Sequence, residues 1–309
     1  MQMKTIRSGD YVAVIDLSRG ANCISLREER LGVSALRERP PLSEVDNPFL
    51  YGMPILFPVN RISGGEFSFE GRVYRFPVNE EATGCHLHGT LHAMPFRLVE
   101  SESDRVVAVY RADAEHPYLA FPHAFEIRTE YRLGREGLTH RVEVTNRSDE
   151  TMPCLLGFHT TFLSFFAGPC DPEAISVRVD LAEEYERDMS VYLPTGRKPP
   201  LDAVSQSLRD GTFCPVGQPV SRHYRAPVGG RITLTDRSRG LGIVYEPDPK
   251  LRFRLVYNGT ADGFICLEPQ TSLANSPNAP LSRAESGFFT VSPRATEVFT
   301  SRIAVTDAL

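Results

Sequence analysis

Three apolar runs in this chain stop at an ionisable side chain. His88 follows Leu87 and precedes Gly89, His159 closes Leu155-Leu156-Gly157-Phe158, and Glu268 closes Phe264-Ile265-Cys266-Leu267. A histidine near pKa ~6.5 and a carboxylate lifted from ~4.3 by burial take and give protons in one neutral pH range, which is general acid–base chemistry. Arg61 ends a fourth run, Pro58-Val59-Asn60, with a planar cationic fork. Each residue also has a plainer reading. A lone histidine is more often structural than catalytic, a strand-end Glu can swing to solvent or pair with an arginine, and Arg61 has 39 acids to pair with. The combination is what points to chemistry.

Glu268 depends most on the element that carries it. Four apolar residues bounded by Gly263 and Pro269 predict a short strand buried on both faces. Pro269 has no N–H, so pairing is expected to stop there. Alternation puts Glu268 on the face of Cys266 and Phe264, where water is scarce. A carboxylate in such a place is paired, hydrogen-bonded or raised in pKa. From this stretch alone, that reading and the solvent-exposed one stand level.

The surrounding pattern is β. Phe125, Ile127, Thr129, Tyr131 and Leu133 alternate with polar residues, and after a Gly134–Gly137 turn Leu138, His140, Val142 and Val144 do the same, predicting an antiparallel pair with one wet face. His140 falls in the apolar set and reads as structural. Glu66-Phe67-Ser68-Phe69, a Glu70-Gly71 turn and residues 72–76 read as a hairpin. Two prolines, Pro54 and Pro58, exclude a helix before Asn60. Residues 180–187 read as a short helix and residues 194–219, rich in Pro and Gly, as a long loop. With no composition break and almost no helical periodicity, the 309 residues predict one domain, an all-β antiparallel sandwich of two large sheets.

Composition narrows the partners. The 34 Lys+Arg against 39 Asp+Glu, net −5 with no basic block, argue against nucleic acid and anionic membrane and favour a small molecule. Lys4, Arg7, Asp10 and Asp16 interrupt the first apolar positions, and no later run reaches spanning length, so a cytoplasmic protein is expected. Six cysteines without a C-x-x-C pair predict free thiols rather than disulfides or a zinc site.

Four motifs then fall in one order: Asn60-Arg61-Ile62 leading to Gly65 and Phe67; Leu87-His88-Gly89; Gly157-Phe158-His159-Thr160-Thr161-Phe162 after Val144-Thr145-Asn146; and Cys266-Leu267-Glu268-Pro269-Gln270. Together they resemble the aldose 1-epimerase (galactose mutarotase) family over nearly the whole chain. The resemblance implies the galactose mutarotase-like β-supersandwich and cofactor-independent interconversion of the α and β anomers of a free sugar. It implies Glu268 as general base, His159 as general acid, and Asn60, Arg61 and His88 as groups that orient the sugar. Glu268 would take the C1 hydroxyl proton while protonated His159 gives one to the ring oxygen; rotation about C1–C2 and reclosure give the other anomer. Phe57, Phe158 or Phe162 would offer an apolar face, and a bell-shaped pH profile would have the carboxylate on its acid limb and the histidine on its alkaline limb.

Two departures bear on the substrate. No Asp stands in residues 220–224 and no Gln near residues 241–243, where the family pattern has hydroxyl-binding groups. Arg222, His223 and Arg225 would suit a phosphorylated sugar, as in hexose-6-phosphate 1-epimerases, unless they are merely solvated. A metal-dependent cupin is suggested by His86-Leu87-His88, but Leu91 and His92 stand where its Glu belongs, so no metal is expected. A non-catalytic carbohydrate-binding protein of the same fold is the remaining rival. It would need hydroxyl partners, not a matched acid and base.

Overall fold

The computed structural model describes residues 2–45 and 47–307, and most of its regular structure is antiparallel strand. Eight strands form one sheet in the order Arg97–Ser101, Arg105–Ala112, Phe125–Gly134, Gly137–Asn146, Thr296–Thr306, Leu241–Glu246, Ile232–Asp236, Ile175–Val179. A seven-stranded sheet runs Glu183–Tyr185, Ser221–Arg225, Phe253–Tyr257, Phe264–Gln270, Gly157–Phe158, Ile55–Leu56, with Thr161–Leu163 also pairing Phe264–Gln270.

The alternation around residues 125–146 decides which side of the larger sheet is dry. Phe125, Ile127, Tyr131 and Leu133 are buried together with Leu138, Val142 and Val144, while the residues between them on Phe125–Gly134 reach solvent at least in part. This row joins Phe158, Phe162, Ile265 and Leu267 of the smaller sheet in one hydrophobic cluster. Each such side chain stabilises the sandwich by roughly 1.5–3 kcal/mol relative to exposure. The Glu66–Phe69 and Arg72–Arg75 hairpin also forms as expected, with positive φ at both Glu70 and Gly71 (46° and 76°), the geometry that matches strand twist.

All seven residues of Phe264–Gln270 are buried. Ile265 and Leu267 enter the inter-sheet cluster, so Cys266, Glu268 and Gln270 face the other way. Pairing does not stop at Pro269: Gln270 still pairs Phe253 and Gly157. The reason lies in the direction of the N–H groups. Leu267 and Thr271 donate to Thr160 and Leu156 on one side, so residues 266, 268 and 270 serve the Phe253–Tyr257 side, and Pro269 forgoes one bond only.

Two other expectations are overturned. Residues 180–187 are not a helix: Glu183–Tyr185 pairs with Ser221–Arg225, and Arg187–Asp188 pairs with Leu193–Pro194. Glu184 and Tyr185 are buried there, and sheet pairing overrides a helix-like composition. Within residues 194–219 lies the helix Ala203–Asp210, started by the Asp202 side chain accepting from Ser205 N and ended by left-handed Gly211. Leu208 anchors it in the core and Ser205 bonds buried Glu184.

Six of the eight histidines are buried: His86, His88, His123, His140, His159 and His223. Burial lowers the pKa of all six, to about 4 for His123 and about 3 for His140. His140 is structural, bonded to Thr129 Oγ1 (2.9 Å) and stacked on Tyr131 (4.3 Å). Below pH ~6.5 the unfolded chain takes up protons that these folded rings refuse, so stability falls as pH drops toward 4. Each histidine contributes up to about 1.4 kcal/mol per pH unit in that window. Thermal melts at stepped pH should show the midpoint falling from pH 6.5 downward; a flat profile to pH 4.5 would contradict this.

Candidate active site

Register brings Glu268 to His159. Gly157 pairs Gln270 and Thr161 pairs Cys266, the same register on either side of a gap in the ladder at His159 and Thr160. His159 therefore lies opposite Glu268, and opposite residues on one face of an antiparallel pair are neighbours. The gap exists where Pro269 offers no N–H, and His159 N turns away to Pro54 O (3.0 Å). His159 Nε2 stands 3.3 Å from Glu268 Oε1, with both side chains buried.

A chain of amides holds the carboxyl from its other side. Gln270 Nε2 donates to Glu268 Oε2 (3.1 Å), and Asn60 Nδ2 donates to Gln270 Oε1 (3.2 Å). Asn60 N in turn donates to His88 Nδ1 (3.3 Å), and His88 N to Asn60 O (3.0 Å). Asn60 and His88 both take left-handed backbone (φ 61°), a conformation Asn and His tolerate better than most. Gly89 must be glycine: at φ 63° a Cβ would lie 1.9 Å from Phe57 O. His88 is an acceptor at Nδ1, and its ring is 5.4 Å from that of His159. Phe49 stands over both, at 4.7 Å from His88 and 6.0 Å from His159.

Arg61 follows Asn60 into the same pocket but is committed. Its Nε and Nη2 form a two-point pair with Glu80 (2.6 Å each), and its guanidinium lies 4.5 Å above Tyr192. Arg187 reaches the same Tyr192 ring from its other neighbours, at 5.9 Å. Tyr192 takes left-handed backbone (φ 58°) in the turn between Arg187–Asp188 and Leu193–Pro194. His223, in a register row with Leu255 and Glu268, is buried near Arg187.

Burial fixes where the protons sit. It pushes Glu268 up to about 8, against the smaller downward pulls of Gln270, Arg187 and Arg61, and pushes His159 down to about 3. Both shifts favour the neutral forms at neutral pH, a protonated carboxyl and an uncharged imidazole. With desolvation penalising both charged forms, the alkaline limb of a pH profile should follow the proton first held by Glu268 rather than a histidinium.

The structure thus brings Glu268, His159, His88, Asn60 and Arg61 together. It corrects other expectations. Phe57, Phe158 and Phe162 are buried in the inter-sheet cluster, and the aromatic rings at the site are those of Phe49 and Tyr192. Arg222 bonds Glu184 and Asp202, and Arg225 is 3.9 Å from Glu183, so neither is free to bind phosphate. Leu241–Glu246 belongs to the eight-stranded sheet, away from the Glu268 face. His86 and His88 diverge, since His86 Nδ1 bonds Pro77 O (2.7 Å) while left-handed His88 turns to the pocket.

Gln270, Tyr192, Arg187 and Phe49 were not singled out from sequence. Gln270 had a signal, standing two residues beyond Glu268 on the same strand face. Phe49 and Tyr192 lie in turns and Arg187 in a two-residue strand, all too short for a periodicity that says what they meet.

His159, Cys266 and Glu268 offer three ligand atoms within 4.8 Å. A cation there would displace the protons of a thiol whose pKa burial holds well above its usual value and of a carboxyl raised to about 8. Catalysis should therefore survive chelation. Dialysis against EDTA should leave turnover unchanged, and loss of activity restored by one added metal would refute this.

The aldose 1-epimerase family model matches residues 2–291. A galactose mutarotase-like protein from Clostridium acetobutylicum is 25% identical with a TM-score of 0.90, covering 99% of this chain and 98% of its own. The GalM/aldose epimerase homologue of C. elegans is 14% identical with a TM-score of 0.80, covering 100% and 99%, a likeness of fold. The Escherichia coli K12 protein YphB is 24% identical over 237 residues, 74% of this chain and 75% of that protein. Among the described residues no helix is long and apolar enough to cross a membrane.

Proposed function

The chain belongs to the aldose 1-epimerase family, and from that premise we propose that it interconverts the α and β anomers of a free sugar by acid–base ring opening. The observation that carries this reading is the His159–Glu268 pair, 3.3 Å apart and sealed from bulk water. A single shared proton suits the reaction. When the sugar arrives, the proton moves to His159, and the Glu268 carboxylate accepts the C1 hydroxyl proton while His159 Nε2 protonates the ring oxygen. The C1–O5 bond breaks to give the open aldehyde. Rotation about C1–C2 and reclosure with roles reversed restore the pair, so no proton is consumed overall.

The pocket's low polarisability makes each positioned donor count for more than in water. Gln270, held by Asn60, keeps Glu268 Oε2 occupied and leaves Oε1 without a hydrogen bond, facing His159 and the space a sugar hydroxyl would enter. His88 would orient a hydroxyl through its Nε2–H, since its Nδ1 is an acceptor. Arg61, tied to Glu80, would act as a fixed donor wall, and Phe49 would lie against the sugar's apolar face.

Polarimetry or exchange NMR over a panel of free sugars tests the reading: the protein should accelerate anomer exchange above the spontaneous rate for at least one of them. Residues 220–224 carry His223 and Arg222 where the family pattern has a hydroxyl-binding Asp. Galactose should accordingly be turned over more weakly than another sugar of the panel. A panel in which galactose is clearly best would refute that expectation.

A further inference from the structure

We infer that Arg187 sets the substrate class of this site, and that the sugar it selects carries one carboxylate, as a hexuronic acid does. The inference rests on the anomerisation reading and concerns the same pocket. Arg187 is 8% exposed, and its Nη2 donates to Ser221 O (2.6 Å) and Oγ (2.8 Å). Among the described residues no carboxylate lies within 4.0 Å of it, and neither Nε nor Nη1 has a hydrogen-bond acceptor. The arginines nearest to it are matched, Arg61 by Glu80, Arg222 by Glu184 and Asp202, and Arg225 by Glu183, while Arg37 lies over Tyr51 and Phe264 and Arg254 is held by backbone carbonyls. A largely buried guanidinium with an open, unbonded edge is stabilised by an anion that meets that edge with good geometry.

The pocket's charge identifies the anion. Around Tyr192, Arg61 and Glu80 cancel and Arg187 adds one positive charge that no carboxylate within 4.0 Å answers among the described residues. One carboxylate neutralises it. A phosphate monoester carries about −1.5 to −2 near pH 7 and would need a second cation, but the nearby arginines are already engaged. The open edge of Arg187, formed by Nε and Nη1, also has the planar geometry that a carboxylate meets with two parallel hydrogen bonds. Position agrees: Arg187 sits beside Arg61 over Tyr192 and near enough to Glu268 to pull on its proton. A carboxylate bound there would therefore be attached to the sugar whose anomeric hydroxyl faces Glu268.

The test is exchange NMR of anomer interconversion for galacturonate and glucuronate, beside galactose, glucose and glucose 6-phosphate. One hexuronate should exceed its parent hexose in kcat/KM by at least tenfold, and the 6-phosphate should not. Arg187→Met should lower the hexuronate-to-hexose ratio by roughly 10–100-fold, the worth of a charge-assisted hydrogen bond, mainly through KM. Arg187→Lys, which keeps the charge and loses the fork, should recover only part of it. Neutral hexoses turned over with no gain for either hexuronate would overturn the inference alone, as would a preference for the phosphate. Equal loss on all sugars in Arg187→Met, with a shifted alkaline limb, would also overturn it, since Arg187 would then act through Glu268. Acceleration of no sugar at all would overturn the anomerisation reading and this inference with it.

Discussion

Replacing Glu268 by Gln should lower the rate of the proposed anomer interconversion by roughly 10²–10⁴-fold, the usual worth of a positioned proton-transfer group. The loss appears in kcat more than in KM, because the amide still fills the site and still accepts from Gln270 Nε2 at the atom that Glu268 Oε2 now occupies. Folding survives. The wild-type carboxyl is neutral in the buried site up to about pH 8, so an amide replaces it without burying a new charge. The sign of the stability effect follows. A carboxyl whose folded pKa is raised stabilises the fold most below its unfolded value and loses that contribution as pH rises through about 8. Relative to the parent, Glu268→Gln should therefore gain stability as pH rises from about 4.5 to about 8, where the unfolded carboxyl is ionised and the folded one is not, and should gain no more above that. Single-turnover exchange NMR combined with thermal melts at both pH values reads this out. Near-parental turnover in Glu268→Gln would mean the base has been assigned to the wrong residue.

His159→Asn should cost a similar roughly 10²–10⁴-fold, and the shape of its pH profile should change with it. In the parent, the pair should hold one proton between about pH 3 and about pH 8, and activity should fall above 8 as that proton leaves and no acid remains. Without His159 there is no proton to share. Glu268 must then lose its own before it can act as a base, so residual activity should rise through pH 8 where the parent's falls. This inversion separates a catalytic pair from two residues that are merely adjacent. A His159→Asn profile that keeps the parental alkaline limb would show that His159 does not share the proton of Glu268.

Much of the frame is written locally. The period-2 alternation around residues 125–146 dictates an antiparallel pair because one face must be dry and the other wet. The apolar run before Glu268 dictates a buried strand but leaves the carboxyl's own burial level with exposure; the fold buries it, and burial sets the direction of its pKa. Where local pattern and tertiary pairing compete, pairing wins. Residues 180–187 have a helix-like composition, yet Glu184 and Tyr185 are drawn into a sheet by Ser221–Arg225.

The site is the part that sequence leaves open. Composition and spacing determined that this chain is a β-sandwich with buried ionisable groups at its strand ends. Only the tertiary structure decided that His159 lies opposite Glu268, because the register between strands distant in sequence is set by the packing of whole sheets and not by either strand's own pattern. It also decided that burial would push both members of the pair toward their neutral forms, and that Arg61 would meet Glu80 while Arg187 met no carboxylate within 4.0 Å among the described residues. A charge acquires its partner through space, and no periodicity of the chain records which charges will be near.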